Sequence, residues 1–404
     1  MLKVDHVFTG ALTSTVGPSG TIRRILKNSP KLKEEGIDVS VINHGKIYNS
    51  WDDKDFSCFK PLSYSRKHKL KMQLDARAKN NKLLAIALME YNRYRIKNTI
   101  KQYIRLNRTP DIIVFHGDYE AYYYYKLGQG GNTACFFHSD CLPMEMYYQY
   151  YPKLRGTKYA EKQVRDYQYV VEKIGKCVFI CRKGKENMNR IFPVSINKSA
   201  LVVNGIEDFN EEQLKELKKR TSERDDDRIK LVCVGSVSVR KGQRIVLEAL
   251  SRLPIAIRKR YCLEIIGEGS DLDYCKQFVQ EKGLGDEVVF LGALPNIEVC
   301  KYLAQDDVFV LMSNNEGLPI SIIEALRSGL AVISTNVSGI PELVTNNNGV
   351  LVDVSADSLY NVLLEPDNYD WKQMGKASRE LFEKQFTFER MLQDYISMLK
   401  SFKD

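Results

Sequence analysis

The sequence predicts two α/β domains, each built on a largely parallel β-sheet. Its length of 404 residues exceeds what one domain usually contains. Short apolar runs typical of buried strands alternate with longer helical patterns, and strands that alternate with helices form parallel sheets. The alternation begins at Leu2 and begins again at Ile229. We therefore predict a first domain over residues 1–203 and a second over residues 204–385.

The first domain opens with a strand, a loop, a helix and a second strand, the order that begins a Rossmann-like sheet. The strand covers residues 1–8, the loop is Gly17-Pro18-Ser19-Gly20, the helix runs over residues 21–35 and the second strand ends at Ile42. The remaining predictions for this domain are a basic helical stretch and four strands, at residues 65–108, 111–116, 133–138, 176–180 and 201–206. A charged stretch over residues 207–227 is predicted to link the domains.

Charge is divided unevenly between the two domains. Residues 1–203 contain 35 Lys and Arg against 18 Asp and Glu, whereas residues 204–404 contain 25 against 33. A basic domain joined to an acidic one predicts that the first domain meets something anionic. The candidates are a lipid headgroup surface, a pyrophosphate-linked acceptor, an anionic polymer and nucleic acid.

Cysteine spacing argues against a disulfide framework or a zinc site, because the nine cysteines are scattered and form no Cys-x-x-Cys pair. Three Asp-x-Asp pairs lie in charged segments and are interpreted as solvated surface, so no metal ion is expected; they are Asp53–Asp55, Asp225–Asp227 and Asp271–Asp273. No apolar run reaches the roughly 18 residues that span a bilayer, and the first residues do not resemble a signal peptide. We expect a cytoplasmic protein.

The run from Asn315 to Leu326 contains two carboxylates, Glu316 and Glu324, separated by seven residues. A buried strand precedes it, and we expect a helix that has Pro319 at its first position and Gly329 past its end. Glu316 then lies in the loop and Glu324 about one turn into the helix. A helix N-terminus attracts phosphate, and carboxylates accept hydrogen bonds from sugar hydroxyls. The run therefore predicts a pocket for a sugar joined to a diphosphate.

This run resembles the signature of retaining glycosyltransferases of family 4, which have the GT-B fold, two Rossmann-like domains facing a central cleft. The resemblance continues through residues 328–335 and 339–344 and covers roughly the last half of the chain. It implies that the donor nucleotide sugar binds mainly to the second domain and the acceptor to the first. It also implies that a C-terminal helix over residues 386–404 packs back on the first domain.

The resemblance also suggests roles for individual residues. Glu316 would orient the sugar hydroxyls, Lys241 would stabilise the leaving diphosphate, and His138, with His116 as a weaker candidate, would lie near the reactive region of the sugar. The family's usual Arg after the first Gly of the Lys241 loop is Ser236 here, and Arg240 either replaces its charge or is solvated. The donor contacts implied are Gly17, Gly20, Ser236, Arg240, Lys241, Gly292, Gly317, Leu318, Pro319 and Glu324.

We therefore expect a hexosyltransferase-type retaining enzyme that needs no cofactor or metal ion. It would move a sugar, preferably from a UDP-sugar, to a glycan, glycolipid or lipid-linked acceptor in surface polysaccharide biosynthesis. The basic first domain predicts peripheral binding to an anionic membrane face. The alternatives are a degenerate, non-catalytic GT-B subunit that binds a glycan or a partner enzyme, and a sugar-nucleotide epimerase. Nucleic-acid binding is not expected, because no recognised nucleic-acid motif occurs.

Overall fold

The chain folds into two compact units in a computed structural model. The first consists of Met1–Val203 together with Leu392–Asp404, and the second of Asn204–Met391. The structure describes most of the chain, namely residues 1–12, 17–51, 73–211, 213–215 and 228–402.

The first unit is built on seven strands. They are β1 (Leu2–Phe8), β2 (Ile37–Asn43), β3 (Lys46–Tyr48), β4 (Ile112–Phe115), β5 (Thr133–Phe137), β6 (Lys176–Phe179) and β7 (Ser199–Leu201). Their order in the sheet is β3-β2-β1-β4-β5-β6-β7. All neighbours pair in parallel except β3, which returns antiparallel to β2 at the sheet edge. The sheet is therefore Rossmann-like, as predicted.

Seven helices of the first unit that have both ends within the described residues connect these strands or flank them. They are α1 (Gly17–Lys27), α2 (Ser29–Glu34), α3 (Lys82–Arg105), α4 (Asp118–Lys126), α5 (Glu145–Tyr150), α6 (Lys158–Lys173) and α7 (Arg182–Ile191). The single helix predicted over residues 21–35 is wrong in two respects. It starts earlier, at Gly17, and it is divided at Asn28 because Pro30 lacks an amide hydrogen and its ring disfavours a continuous helix.

The basic helical stretch predicted over residues 65–108 is only partly described by the structure. Residues 65–72 of that prediction lie outside the described residues, and α3 covers its later part. Arg93, in the middle of α3, is 2% exposed. Its guanidinium forms an ion pair with Asp166 at 2.7 Å and lies over the ring of Tyr119. This arginine therefore belongs to the packing between α3, α4 and α6.

The second unit is built on six strands, and seven of its helices have both ends within the described residues. The strands are β8 (Ile229–Val234), β9 (Tyr261–Ile266), β10 (Val288–Gly292), β11 (Val308–Leu311), β12 (Ala331–Thr335) and β13 (Gly349–Val352), in the order β10-β9-β8-β11-β12-β13. The helices are α8 (Gln243–Arg252), α9 (Ile255–Arg258), α10 (Leu272–Lys282), α11 (Asn296–Leu303), α12 (Ile320–Ser328), α13 (Ala356–Leu364) and α14 (Trp371–Gln385). Every neighbouring pair of strands is parallel. This unit is a second Rossmann-like sheet.

The central strands of both sheets are buried on both faces. All four residues of β11 and all five of β12 are buried, as are all five of β5. Strands covered by helices on both faces read as continuous apolar runs, which explains why the sequence identifies them.

The last helix, α15 (Phe388–Lys400), follows α14 in the chain. Its start belongs to the second unit, where Thr387 forms an isolated parallel bridge with Ile206. From Leu392 onward its residues belong to the first unit. Among the described residues, no helix is both long enough and apolar enough to cross a membrane.

Three loops at the carboxyl ends of the second sheet pack with their backbones in close contact. A Cβ atom at Gly242 would lie 2.1 Å from the carbonyl oxygen of Met312, and one at Gly267 would lie 1.8 Å from that of Gly235. Gly242 also has φ +74, a left-handed conformation that other residues adopt at a cost. These glycines have a structural role, because they allow the loops after neighbouring strands to touch.

Gly242→Ala is expected to lower the free energy of unfolding by at least about 3 kcal/mol, among the large single-site effects, because strain and a backbone clash add. Gly283→Ala is the matched control, since Gly283 has φ +60 and open space around its Cβ position. It should cost only about 1–2 kcal/mol. Chemical denaturation measures both changes. An equal decrease in the free energy of unfolding for the two variants would show that the close contact with Met312 adds nothing to the cost.

Candidate active site

Glu316 lies at the centre of a charged cluster in the second unit. Lys241 Nζ lies 2.7 Å from its Oε1, and Arg240 Nη1 lies 2.9 Å from the same oxygen. The hydroxyl of Ser313 donates a hydrogen bond to Oε1 at 2.7 Å. Three donors therefore converge on one carboxylate oxygen, while Oε2 accepts no hydrogen bond from the described part of the chain.

Electrostatics keep Glu316 ionised although it is only 8% exposed. Burial acts to raise the pKa of its carboxyl, but the charges of Lys241 and Arg240 outweigh burial and hold that pKa below the ordinary value of 4.5. At neutral pH this site thus contains one carboxylate and two cations.

The sheet order explains why these residues meet. Arg240 and Lys241 lie in a short 3₁₀ turn, Val239–Lys241, that follows β8, and Ser313 and Glu316 follow β11. Strands β8 and β11 are adjacent and parallel, so their carboxyl ends share one edge of the sheet. Ligands bind to open α/β sheets at this edge.

The loop with Arg240 is tied to the loop with Glu316 by more than charge. Arg240 Nη1 donates to the carbonyl oxygen of Asn315 at 3.0 Å, and the backbone amide of Asn314 donates to the carbonyl of Arg240 at 3.0 Å. The guanidinium of Arg240 therefore lies at Glu316 and is not merely solvated. Ser236, which stands where the family has Arg, is exposed, and its carbonyl accepts a bond from Gln243 at 3.2 Å.

Helix α12 directs its N-terminus to the end of the Glu316 loop. Pro319, predicted as the first helical residue, is instead the N-cap residue, one position earlier, and Gly329 ends the helix with φ +76, as predicted. The first N–H groups of a helix have no partner within it. The Ser321 hydroxyl, in the first turn, is buried without a hydrogen-bond partner among the described residues.

The residues between Glu316 and α12 are held by backbone contacts. The carbonyl of Gly317 accepts a bond from the amide of Gly339 at 3.1 Å. The carbonyl of Leu318 accepts one from the Asn204 side chain at 3.5 Å, and the Leu318 side chain is buried. Any contribution of Leu318 to a ligand site therefore comes from its backbone.

Glu324 lies one turn into α12 and is 8% exposed. Its Oε1 accepts a hydrogen bond from the side chain of Asn296 at 2.9 Å. Asn296 is the first residue of α11, which follows the loop after Gly292, itself at φ +68. The structure thus connects the second predicted carboxylate to the helix that follows the loop of Gly292, another implied donor contact.

A second cluster, in the first unit, contains His138. The hydroxyl of Tyr395 lies 2.5 Å from Nε2 of His6, and Nδ1 of His6 lies 2.8 Å from Nε2 of His116. Nδ1 of His116 lies 3.1 Å from Nε2 of His138. Three imidazoles and a phenol thus form one hydrogen-bonded series, with the ring of Phe136 stacked on His116.

The imidazoles of this series are uncharged at neutral pH. Burial lowers the pKa of His6 to about 3 and that of His138 to about 3. Burial also lowers the pKa of His116, and any charge on His6 or His138 would lower it further. Each ring therefore has one N–H donor and one acceptor nitrogen.

Gly17 and Gly20 do not form the loop that was predicted for them. Gly17 is the first residue of α1 and has φ +62, and Gly20 is buried inside that helix. Both belong to the first unit, whereas the Glu316 cluster and the Glu324 pair belong to the second.

Two polar partners in the second unit were missed by sequence reasoning. Ser313 follows directly after the buried strand β11, and Asn296 opens a helix after β10; polar residues at strand ends were the available signal. In the first unit, Tyr395 was missed because nothing local connects it with a histidine 389 residues away.

No group of three or more His, Cys, Asp or Glu that could hold a metal ion occurs in the described ranges. Metal independence stays a prediction. The pairs Asp53–Asp55 and Asp225–Asp227 lie outside the described residues. The interpretation of Asp271 as solvated is wrong, because it is 5% exposed and forms two hydrogen bonds with Arg244.

Comparison with known proteins identifies the second unit. Residues 214–383 match the model of the family described as glycosyl transferases group 1. Over those residues the chain is similar to this family. A Mycobacterium tuberculosis member, the GDP-mannose-dependent alpha-(1-6)-phosphatidylinositol monomannoside mannosyltransferase, is 31% identical over 192 residues, which cover 44% of this chain and 48% of that protein.

Two Escherichia coli relatives are named as an O-antigen chain mannosyltransferase and a putative colanic acid biosynthesis glycosyltransferase. The chain spans about half the length of the curated relatives it matches. The similarity to glycosyl transferases group 1 therefore lies in the second unit.

Solved structures extend the likeness to the whole chain. Sucrose-phosphate synthase from Thermosynechococcus elongatus superposes with a TM-score of 0.70, at 18% identity, over 100% of both chains. HepE from Anabaena, solved in complex with UDP, superposes with a TM-score of 0.64, at 15% identity, over 99% of this chain and 100% of that one. The chain has the GT-B fold, with two Rossmann-like sheets.

Replacing Glu316 by Gln should lower the free energy of unfolding at pH 7 by about 1.5–3 kcal/mol, the range for hydrogen bonds to charged groups. Because the folded-state pKa of Glu316 lies below 4.5, its ionised form stabilises the fold above that pH. The difference between wild type and variant should therefore shrink as pH falls below about 4.5.

Urea unfolding at several pH values between 7 and 3.5 measures this difference. Glu298→Gln is the control, since Glu298 pairs with Lys301 on the surface and should change stability by less than about 0.5 kcal/mol. A Glu316→Gln difference that stays constant with pH would contradict the ion pairs described here.

Proposed function

We propose that this protein is a retaining glycosyltransferase that transfers a sugar from a nucleotide-sugar donor to a carbohydrate or lipid-linked acceptor. The observation that carries the proposal is the convergence of Lys241, Arg240 and Ser313 on one oxygen of Glu316, beside the N-terminus of α12. Cations and free helix N–H groups suit a diphosphate, and a carboxylate suits sugar hydroxyls. Groups that suit the diphosphate and a group that suits the sugar therefore lie together in these loops.

In the proposed reaction the acceptor oxygen forms a bond to the anomeric carbon while the bond from that carbon to the diphosphate oxygen breaks. The proton of the acceptor hydroxyl passes to the leaving diphosphate, and attack on the face of departure retains the anomeric configuration. Lys241 and Arg240 stabilise the negative charge that develops on the diphosphate. Such preorganised charge is usually the largest catalytic contribution.

Glu316 has two proposed tasks. Its Oε1 holds both cations in place before the donor arrives, and Oε2, which the described residues leave without a hydrogen bond, accepts from a hydroxyl of the sugar. Glu324 is proposed to accept from the ribose, with Asn296 fixing its orientation. His138 of the first unit is proposed to donate to a substrate oxygen.

A UDP-sugar is the proposed donor. HepE, which superposes over the whole chain, was solved with UDP, and this likeness supports the preference. A GDP-sugar is the alternative, because the mycobacterial relative is named as GDP-mannose-dependent. The relatives named for O-antigen and colanic acid support a role in surface polysaccharide biosynthesis.

A degenerate subunit that binds without transferring is the second candidate. The observation that favours it is Ser236, which is exposed where the family has Arg. Arg240 argues against it, because its guanidinium reaches Glu316 at 2.9 Å from the same loop. We therefore propose that Arg240 supplies the charge missing at position 236.

Lys241→Ala should weaken UDP binding by about 10- to 100-fold, because a charge-assisted hydrogen bond of about 1.5–3 kcal/mol is lost. Titration calorimetry with UDP measures the change. Lys276→Ala is the matched control, an exposed lysine on α10 that should leave affinity unchanged. An unaltered affinity in Lys241→Ala would remove this residue from the donor site.

We also propose that the first unit binds an anionic membrane surface through α3. Leu83, Ala87, Tyr91 and Tyr94 are exposed at spacings of four, four and three residues, which places them on one face of the helix. Exposed cations lie on the same helix, among them Arg95. An apolar and aromatic stripe with basic residues is typical of helices that lie at a membrane interface.

Vesicles containing anionic lipid are expected to sediment the protein at low salt, and neutral vesicles are not. The double variant Tyr91→Ser, Tyr94→Ser should lose most of this binding. Ile255→Ser is the control, because Ile255 is 63% exposed but belongs to the second unit. Equal sedimentation of the double variant and the control would show that α3 is not the membrane contact.

A further inference from the structure

The hydrogen-bonded series Tyr395–His6–His116–His138 contains three residues to which the proposed reaction gives no task. Tyr395 and His6 are 0% exposed, His116 is 4% exposed, and His138 is half-buried at the end of the series. A buried polar group needs a partner, and this series provides one for each member. The arrangement also determines where hydrogen atoms can lie.

The parallel sheet builds the series one strand at a time. His6 lies on β1 opposite Val114 of β4, and His116 lies two residues further along, on the same face. Phe115 of β4 lies opposite Cys135 of β5, so His116 lies opposite Phe136, with His138 two residues further along. The three imidazoles therefore step across adjacent strands, and Tyr395 of α15 reaches the first of them.

Neutral imidazoles give such a series a direction. His116 contacts a histidine on each side and has one donor and one acceptor nitrogen, so it donates to one neighbour and accepts from the other. If it donates to His138, then His6 donates to His116. In that case Nε2 of His6 and Nε2 of His138 both accept, and Nδ1 of His138 bears its hydrogen.

The phenol of Tyr395 selects between the two directions. Its hydroxyl is buried, and within the described part of the chain its hydrogen bond is to His6 alone. If His6 donated to the phenol oxygen, the phenol hydrogen would have no acceptor, and an unpaired buried donor is costly. The favourable direction therefore runs from Tyr395 to His138.

We propose that Tyr395 fixes the tautomer of His138 through His6 and His116, so that His138 bears its hydrogen on Nδ1. Tyr395, His6 and His116 are positioning residues, and His138 is the residue that they orient. The Nδ1–H group then donates to an oxygen of the substrate. That use rests on the proposed function, whereas the tautomer rests on the hydrogen-bonded series alone.

Nitrogen-15 NMR of histidine side chains tests the proposal directly, because the two neutral tautomers give different imidazole spectra. The sequence contains only five histidines, so single His→Gln variants assign them. At pH 7 the wild type should show His138 uncharged with its hydrogen on Nδ1. Hydrogen on Nε2, or on both nitrogens, would overturn the proposal.

Tyr395→Phe provides the second arm. Without the phenol hydroxyl, nothing selects the direction of the hydrogen-bonded series. The Nε2–H tautomer of His138 should therefore become detectable. Tyr261→Phe is the matched control, since Tyr261 is also 0% exposed and donates to the carbonyl of Leu363 at 2.9 Å in the second unit. An unchanged His138 spectrum in a folded Tyr395→Phe protein would contradict the proposal.

The kinetic consequence is separate. Tyr395→Phe should lower kcat by roughly tenfold with little change in the KM for the donor, while Tyr261→Phe should change neither. Absence of sugar transfer by the wild type would contradict the proposed function and leave the tautomer measurement valid. A wrong tautomer in an active wild type would contradict this inference alone.

Discussion

The ion pairs of Glu316 are the interaction on which the candidate site of the second unit depends. A carboxylate that is 8% exposed stays ionised because two cations face it, and those cations keep their place because the carboxylate holds them. The pairing joins the loop after β8 to the loop after β11. Gly242 allows this junction, since its backbone contacts Met312 where a side chain would not fit. The charges that we propose to bind a diphosphate are therefore in position before a ligand arrives.

The histidine cluster of the first unit is stabilised in a different way, although it also lies on a largely parallel sheet. The buried histidines of this unit are neutral, and they are satisfied by hydrogen bonds in series and not by charge pairing. Burial lowers the pKa of all three histidines, so they do not need counter-ions. The second unit thus contains charges that are already in place, and the first contains hydrogen bonds whose direction is already fixed. Both devices reduce the reorganisation needed when a substrate binds.

Much of this could be predicted from sequence because the signals are local. The parallel strands are apolar runs, and Glu316, Glu324 and Lys241-Gly242 lie in short motifs. Contacts between distant segments could not be predicted in the same way. Asn296 meets Glu324, and Tyr395 meets His6, through packing that a linear pattern does not contain. Arg93 lies in the stretch predicted only as basic and helical, and composition does not reveal that aromatic rings and Asp166 surround it.

The central claim is that the Glu316 cluster binds the diphosphate of a nucleotide sugar without a metal ion. Thermal-shift measurements with UDP, GDP and ADP, each with and without EDTA, test it most directly. The account predicts that UDP raises the melting temperature and that EDTA leaves this rise unchanged. No rise with any of the three nucleotides, or a rise that EDTA abolishes, would contradict it.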